Sequence, residues 1–169
     1  MNATSIAQIR DAAAAALSPS EQSVLIKAMV EEMLPRFAPG CKVIYIDDTD
    51  HRHGVIDAAL MSRLGIGLKA QEKAPDVIAW DARRGWLLLM EAAITHGPVD
   101  VTRKAELRAL FADQWDKVVL VSCFPDRRTM QRYLAVLAWE TEAWCADELD
   151  HMVHLDGARF MGPYGAIDD

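Results

Sequence analysis

Two carboxylates flank a predicted hairpin in the middle of the chain. Asp76 stands just before the apolar run 77–81, and Glu91 ends the apolar run 86–90, with only residues 82–85 between the two runs. If the runs pair as an antiparallel hairpin, the start of the first strand lies beside the end of the second. Because converging oxygen donors are what a hard divalent cation requires, this spacing predicts a Mg²⁺ site.

Glu91 and Asp76 each have a structural alternative to metal binding. An unpaired carboxylate after the run 86–90 would be costly to bury. A bound cation relieves that cost, and so does a buried arginine paired with Glu91, so both interpretations remain open. Asp76 follows a proline, and an ordinary turn residue at the start of a strand is its alternative.

A carboxylate pair at a sheet end is the metal-site geometry of PD-(D/E)xK nucleases, which makes a Mg²⁺-dependent phosphodiesterase the leading hypothesis. That signature normally has a lysine two residues after the Glu, where this chain has Ala93. Lys104 is the best substitute, because its spacing from Val101 and Leu107 predicts an inward-facing position on a helix near residues 100–113. The alternative for Lys104 is a lysine at the rim of the core.

Further polar residues are candidates for lesser roles. His96, just beyond the Glu91 strand, is a candidate proton carrier or phosphate contact, or simply a loop histidine. Glu31 and Asp48 are candidate auxiliary ligands. Their alternatives are a solvated helix face and the polar turn 47–53, which lacks the fixed Gly and closing Glu of an EF-hand. The candidate DNA-phosphate contacts are Arg103, Arg108, Arg127 and Arg128.

The elements that must position these residues alternate between strand and helix patterns. Helices are predicted at 3–17, 23–37, 56–64, 100–113 and 126–137. Strands are predicted at 42–46, 77–81, 86–94 and 117–123, with short edge strands within 138–156. The run 86–94 is apolar on both faces, which is typical of a central strand, and the strand–helix–strand order after it predicts a parallel crossover. The pattern predicts an α/β (mixed α+β) fold, a mixed sheet flanked by helices.

Bulk composition restricts the class of protein. The chain has 169 residues, which is ordinary for one domain, and no run of about 18 apolar residues that would predict a membrane span. Its three cysteines are widely spaced, so we expect reduced thiols in a cytoplasmic protein. The net charge of -7 is awkward for a DNA-binding protein, because such proteins usually present a basic surface.

Several blocks of the sequence, in order, resemble the C-terminal region of BsuBI/PstI-type restriction endonucleases. The blocks are 45–49, 75–77, 91–92, 96–99, 103–104, 124–127, 138–142 and 159–163. The resemblance runs from about residue 17 to residue 163. It implies a type II DNA endonuclease of the PD-(D/E)xK superfamily that needs Mg²⁺ and cuts double-stranded DNA within a short palindrome. Carried over by position, Asp76 and Glu91 would bind the metal, and Lys104 would assist the catalytic base.

The same resemblance shapes the expected organisation. We expect an N-terminal helical extension over 1–20, a catalytic domain over 21–164 and a tail over 165–169. Family members carry a sizeable helical region before the matched part, which implies that this chain is an excised domain or a minimal relative whose DNA recognition needs a partner region or chain. A palindromic target favours a homodimer. A structure-selective or repair nuclease and a catalytically silent DNA- or protein-binding module remain as alternatives.

Overall fold

The computed structural model of the chain describes residues 21–48, 52–94 and 97–156. Within these ranges a mixed seven-stranded sheet is flanked by helices, which confirms the predicted α/β (mixed α+β) fold class. The predicted helix over 3–17, the extension over 1–20 and the tail over 165–169 lie outside the described residues.

The strands of the sheet follow the order β2-β1-β3-β4-β5-β6-β7. Their bounds are β1 Lys42–Asp48, β2 Arg52–Val55, β3 Val77–Asp81, β4 Trp86–Ala92, β5 Val118–Phe124, β6 Thr141–Cys145 and β7 Met152–Leu155. The strands β4, β5 and β6 run parallel, and every other neighbouring pair is antiparallel. The predicted hairpin of β3 with β4 and the predicted parallel crossover from β4 to β5 are therefore confirmed.

The helices pack on the two faces of this sheet. They are α1 Glu21–Ala28, α2 Leu34–Phe37, α3 Ala58–Arg63, α4 Val101–Leu110 and α5 Arg127–Tyr133, with a 3₁₀ turn at Ala112–Lys117. The predicted helix over 23–37 is observed as α1 and α2 joined through a π-helical turn, Met29–Met33. A π turn widens the helix by one residue, and such turns are frequent near functional sites.

Two apolar layers result from this packing. On one face α1 and the π turn cover the sheet with side chains such as Ile26, Met29 and Met33. On the other face α3 and α4 contribute Leu60 and Leu107. The strand β4 supplies alternate residues to both layers, which is the expected consequence of a central strand that is buried on both faces.

One local prediction differs from the structure. The predicted polar turn over 47–53 overlaps strand β2, whose Gly54 lies so close to the carbonyl oxygen of Ile46 that an added Cβ would be 2.9 Å away. This close approach is a steric reason for a glycine at position 54, where β2 pairs with β1. The two tryptophans of the segment 138–156 differ in burial, since Trp139 is 67% exposed and Trp144 is 1% exposed.

The turn of the β3–β4 hairpin is held by Asp81. One carboxylate oxygen accepts the backbone N–H groups of Arg83 and Arg84, and the other accepts Nε of Arg84 at 2.6 Å. A second nitrogen of Arg84 donates to the carbonyl of Phe37 at 2.7 Å, which connects the turn to the end of α2. Burial raises the pKa of Asp81, but the Arg84 bonds outweigh it and hold that pKa below its usual value.

We expect Asp81→Ala to lower the free energy of unfolding by about 2–3 kcal/mol, because it leaves Nε of the partly buried Arg84 and two backbone donors without an acceptor. Urea denaturation at neutral pH measures this difference. The stabilisation by Asp81 is present above pH 3.8 and is lost as the pH falls through the lowered pKa of Asp81 in the folded protein. The difference in free energy of unfolding between the wild type and Asp81→Ala should therefore become smaller in acid.

The exposed carboxylate of Asp116 offers a matched control, since it makes only a 3.5 Å contact with Lys117. Asp116→Ala should unfold at nearly the same urea concentration as the wild type. An Asp81→Ala variant as stable as this control would contradict the role given to the turn.

Candidate metal centre

The hairpin register brings Asp76 and Glu91 to the same end of the sheet. Val77, the first residue of β3, pairs with Met90 of β4, so the residue before Val77 and the residue after Met90 are neighbours. The sequence prediction that the two carboxylates converge is confirmed by this backbone geometry. Asp76 lies directly before β3, and Glu91 lies near the end of β4, which is the central strand of the sheet.

Asp76 is half-buried and held from two sides. Its Oδ2 accepts the backbone N–H of Ala92 at 2.7 Å, and its Oδ1 accepts Nε2 of Gln22 at 3.1 Å. Its carbonyl oxygen accepts the backbone N–H of Asp47 at 2.7 Å, so the end of β1 adjoins the site. Gln22 was missed by sequence reasoning, because its signal is only a polar residue on the buried side of α1.

Glu91 is buried at 6% exposure and pairs with Arg103 of α4. Nε and Nη2 of the guanidinium approach the same oxygen, Oε1, at 2.8 Å and 2.7 Å. The structural alternative weighed for Glu91, a pair with a buried arginine, is therefore observed. Arg103 was expected to contact DNA phosphate, but it is itself buried at 6% and turned toward Glu91.

The electrostatics of Glu91 indicate a site that favours a cation. Burial and, to a lesser extent, the charge of Asp76 raise the pKa of Glu91 to about 7, although Arg103 and Lys73 lower it. Desolvation and a like charge therefore outweigh the buried ion pair with Arg103. A divalent ion between the carboxylates would offset both the desolvation of Glu91 and its repulsion by Asp76.

The second oxygen of Glu91 is left for such an ion. Within the described parts of the chain, the hydrogen bonds and ion pairs of Glu91 all fall on Oε1. Because no fully enclosed side-chain oxygen there lacks a partner, Oε2 must retain access to solvent. Glu91 lines a small open cavity of about 160 Å³ together with Lys73, Pro98, Asp100 and Arg103.

This donor set fits Mg²⁺ better than a metal that needs a full protein cage. Among the described residues, no group of three or more His, Cys, Asp or Glu side chains is arranged to hold an ion. Mg²⁺ commonly keeps several waters and takes only one or two carboxylates from the protein. Asp76 and Oε2 of Glu91 would satisfy that requirement.

Lys104 agrees with its structural alternative, a lysine at the rim of the core, since 24% of its side chain is exposed. Val101, which set the predicted phase of the helix, is 74% exposed, and the buried side of α4 carries Arg103 and Leu107. The ammonium of Lys104 donates instead to the carbonyl of Trp139 at 2.7 Å and to the carboxylate of Glu140 at 2.9 Å. The cation that reaches Glu91 is therefore the neighbouring residue, Arg103.

The remaining candidates are spread around the molecule. Exposed Arg108 lies over the ring of Trp115 at 5.8 Å. Exposed Arg127 pairs with Glu148 at 3.1 Å, and Arg128 is exposed beside it on α5.

Four further positions were named in the sequence prediction. Glu31 is half-buried in the π turn, and Asp48 ends β1, one residue beyond the bond from Asp47 to Asp76. His96 and the side chain of Asp48 lie outside the described residues. Ala93, at the expected lysine position, is fully buried, and its N–H donates to Cys123.

Comparison with known sequences identifies the family. The model of the BsuBI/PstI restriction endonuclease domain matches residues 6–158. The chain belongs to the BsuBI/PstI restriction endonuclease family. Among the residues that the structure describes, no helix has the length and apolarity of a membrane span.

Relatives of this family include proteins with the names of restriction enzymes. The chain is 44% identical to the type II restriction enzyme BsuBI of Bacillus subtilis over 88% of its own length and 47% of that protein. It is 31% identical to the type II restriction enzyme AplI of Arthrospira platensis (strain NIES-39 / UTEX 3086 / IAM M-135), over 86% and 47% of the two chains. The chain thus spans about half the length of these relatives.

A solved structure supports the fold assignment. The SdaI restriction endonuclease superposes with a TM-score of 0.80 at 48% sequence identity, covering 88% of this chain and 47% of that one. This likeness confirms the predicted PD-(D/E)xK nuclease-like fold for the BsuBI/PstI family domain.

We expect Asp76→Asn to lower the pKa of Glu91 from about 7 toward its ordinary value of 4.5, because the substitution removes the neighbouring negative charge. Carbon-detected NMR titration of the glutamate carboxyl groups in metal-free protein measures the change. Asp116→Asn, an exposed change on the 3₁₀ turn, is the matched control and should leave Glu91 unaffected. An unchanged Glu91 pKa in Asp76→Asn would show that the two carboxylates do not interact.

Proposed function

We propose that this chain is the catalytic region of a Mg²⁺-dependent type II DNA endonuclease. Its reaction is hydrolysis of phosphodiester bonds in double-stranded DNA, at a short palindrome and in the cytoplasm. The observation that carries the proposal is the convergence of Asp76 and Glu91 at one end of the sheet, in a domain of the BsuBI/PstI family. Related proteins named type II restriction enzymes support the reaction class.

Asp76 and Glu91 would hold the metal. A bound Mg²⁺ supplies a Lewis acid that neutralises phosphate charge and lowers the pKa of an attached water. The protein residues fix the donors: Gln22 and the N–H of Ala92 orient the carboxylate of Asp76, and Arg103 orients that of Glu91. Half-buried surroundings strengthen each of these electrostatic interactions relative to water.

The lysine of the usual signature has no direct substitute on α4. Lys104 is engaged by Trp139 and Glu140, and Arg103 is engaged by Glu91 and by backbone carbonyls. The group that orients the attacking water must therefore come from elsewhere. His96, two residues after Ile94, remains the candidate from the sequence.

DNA recognition would need more positive charge than this chain provides. It has 18 Lys and Arg against 25 Asp and Glu, whereas phosphate contacts dominate DNA affinity. The relatives are about twice as long as the matched region, so a partner region or chain would recognise the DNA sequence. A homodimer would match the two-fold symmetry of a palindrome.

A second function is favoured by one observation. The buried pair of Glu91 with Arg103 already satisfies one carboxylate oxygen without metal, as in a purely structural ion pair. Together with Ala93 at the lysine position and the net charge of -7, this favours a catalytically silent DNA- or protein-binding module. A structure-selective or repair nuclease on the same fold is the enzymatic alternative.

Cleavage assays separate these functions. With supercoiled and linear plasmid DNA, we expect discrete fragments with Mg²⁺, and no cleavage with Ca²⁺ or with chelator. Asp76→Asn and Glu91→Gln should each reduce the rate at least about a hundredfold, because each removes a charged ligand. Random nicking would indicate an active centre without sequence recognition, and preference for branched DNA would indicate the repair alternative.

Lys104→Met serves as the control on the same helix as Arg103. Its ammonium is bound away from the two carboxylates, so we expect cleavage within about threefold of the wild-type rate. A loss as large as that of Glu91→Gln would restore Lys104 as a catalytic residue. Undiminished cleavage by Asp76→Asn would instead refute the site.

A further inference from the structure

Arg103 connects the two halves of the candidate metal centre. It is buried at 6%, and its guanidinium reaches three separate parts of the chain. Nε donates to Oε1 of Glu91 at 2.8 Å, and Nη2 lies 2.7 Å from the same oxygen as an ion pair. Nη2 donates to the carbonyls of Lys73 and Ala74 at 3.0 and 3.1 Å, and Nη1 donates to Glu106 at 3.1 Å. One side chain thus joins α4, the end of β4 and the segment before β3.

The contact with Glu91 involves a single carboxylate oxygen, Oε1. An arginine that serves only to neutralise a carboxylate commonly forms two parallel bonds, one to each oxygen. Here Nε and Nη2 both approach Oε1, Nη2 also donates to two backbone carbonyls, and Nη1 donates to Glu106. Such a geometry fixes the orientation of Glu91, which lines the open cavity, and leaves Oε2 without a bond to Arg103.

The backbone contacts act on the other carboxylate. Ala74 is separated from Asp76 only by Pro75, whose ring fixes its φ angle. Anchoring the carbonyls of Lys73 and Ala74 therefore restricts the position of Asp76, the residue before β3. Its oxygen Oδ2 in turn accepts the N–H of Ala92 at 2.7 Å.

We infer that Arg103 is a positioning residue of the metal site, which orients Glu91 directly and Asp76 through the backbone of residues 73–74. It touches neither metal nor DNA in this role. The inference rests on the proposed function for its metal, but its effect on Asp76 can be observed without one. Arg103 is also the buried cation that the lysine pattern of the sequence did not identify.

Arg103→Lys is the most informative variant, because it preserves the charge beside Glu91 and can still fold. An ammonium can bond Oε1, but it cannot reproduce the planar fork that spans to both carbonyls. In metal-free protein, amide hydrogen exchange by NMR should be about tenfold faster at Ala92, whose acceptor Asp76 is loosened. The neighbouring Ala93 donates to Cys123, so its exchange should stay within about twofold.

The metal readout is Mn²⁺ affinity, measured by electron paramagnetic resonance of the free ion. Arg103→Lys should bind Mn²⁺ about tenfold more weakly than wild type, as is usual for a residue that orients a ligand. Glu106→Gln, which alters only the outer contact of Arg103 at a half-exposed side chain, is the matched control and should retain wild-type affinity and Ala92 exchange.

Several results would overturn the inference. Unchanged Ala92 exchange, equal acceleration at Ala92 and Ala93, or wild-type Mn²⁺ affinity in Arg103→Lys would each reduce Arg103 to a structural ion pair. Failure of the wild type to bind Mn²⁺ would overturn the metal site and this inference together. Mn²⁺ binding without DNA cleavage would overturn only the proposed reaction and leave the role of Arg103 supported.

Discussion

A buried carboxylate at the end of the central strand is the constraint on which this structure depends. Glu91 ends the apolar run of β4 and is 6% exposed, so its charge must be balanced within the protein. Arg103 balances it only in part, since burial and Asp76 still raise the pKa of Glu91 to about 7. The part of the cost of a charged Glu91 that Arg103 does not offset is the physical reason for proposing a cation at this position.

The fold provides that arrangement through two connections. The antiparallel hairpin of β3 with β4 places Asp76 beside Glu91, and the crossover through α4 to β5 places Arg103 over the same end of the sheet. The hairpin therefore places the two negative charges together, and the crossover places the positive charge of Arg103 beside them. Asp81, at the other end of the hairpin, fixes the turn that keeps this register.

The parts that could be predicted from the sequence are those with a strong local pattern. The runs around residues 77–81 and 86–90 specified a hairpin, and the hairpin alone was enough to bring Asp76 and Glu91 together. Family resemblance added the nuclease-like fold. These features depend only on strand pairing and on burial, which the spacing of apolar residues predicts well.

The parts that could not be predicted depend on tertiary context. Val101 is apolar but lies in the exposed first turn of α4, so a helix phase derived from it selected Lys104 and missed Arg103. An arginine is also expected at the surface unless its buried partner is known. Gln22 and strand β2 were missed for similar reasons, because their partners are distant in sequence or are backbone atoms.

The most direct test of the central claim is a crystal of the chain soaked in Mn²⁺, with an anomalous difference map. The account predicts a single strong peak at this end of the sheet, bound by a carboxylate oxygen of Asp76 and by Oε2 of Glu91, while Arg103 remains on Oε1. A map with no peak there, or with both oxygens of Glu91 bonded to Arg103 and the ion elsewhere, would contradict it.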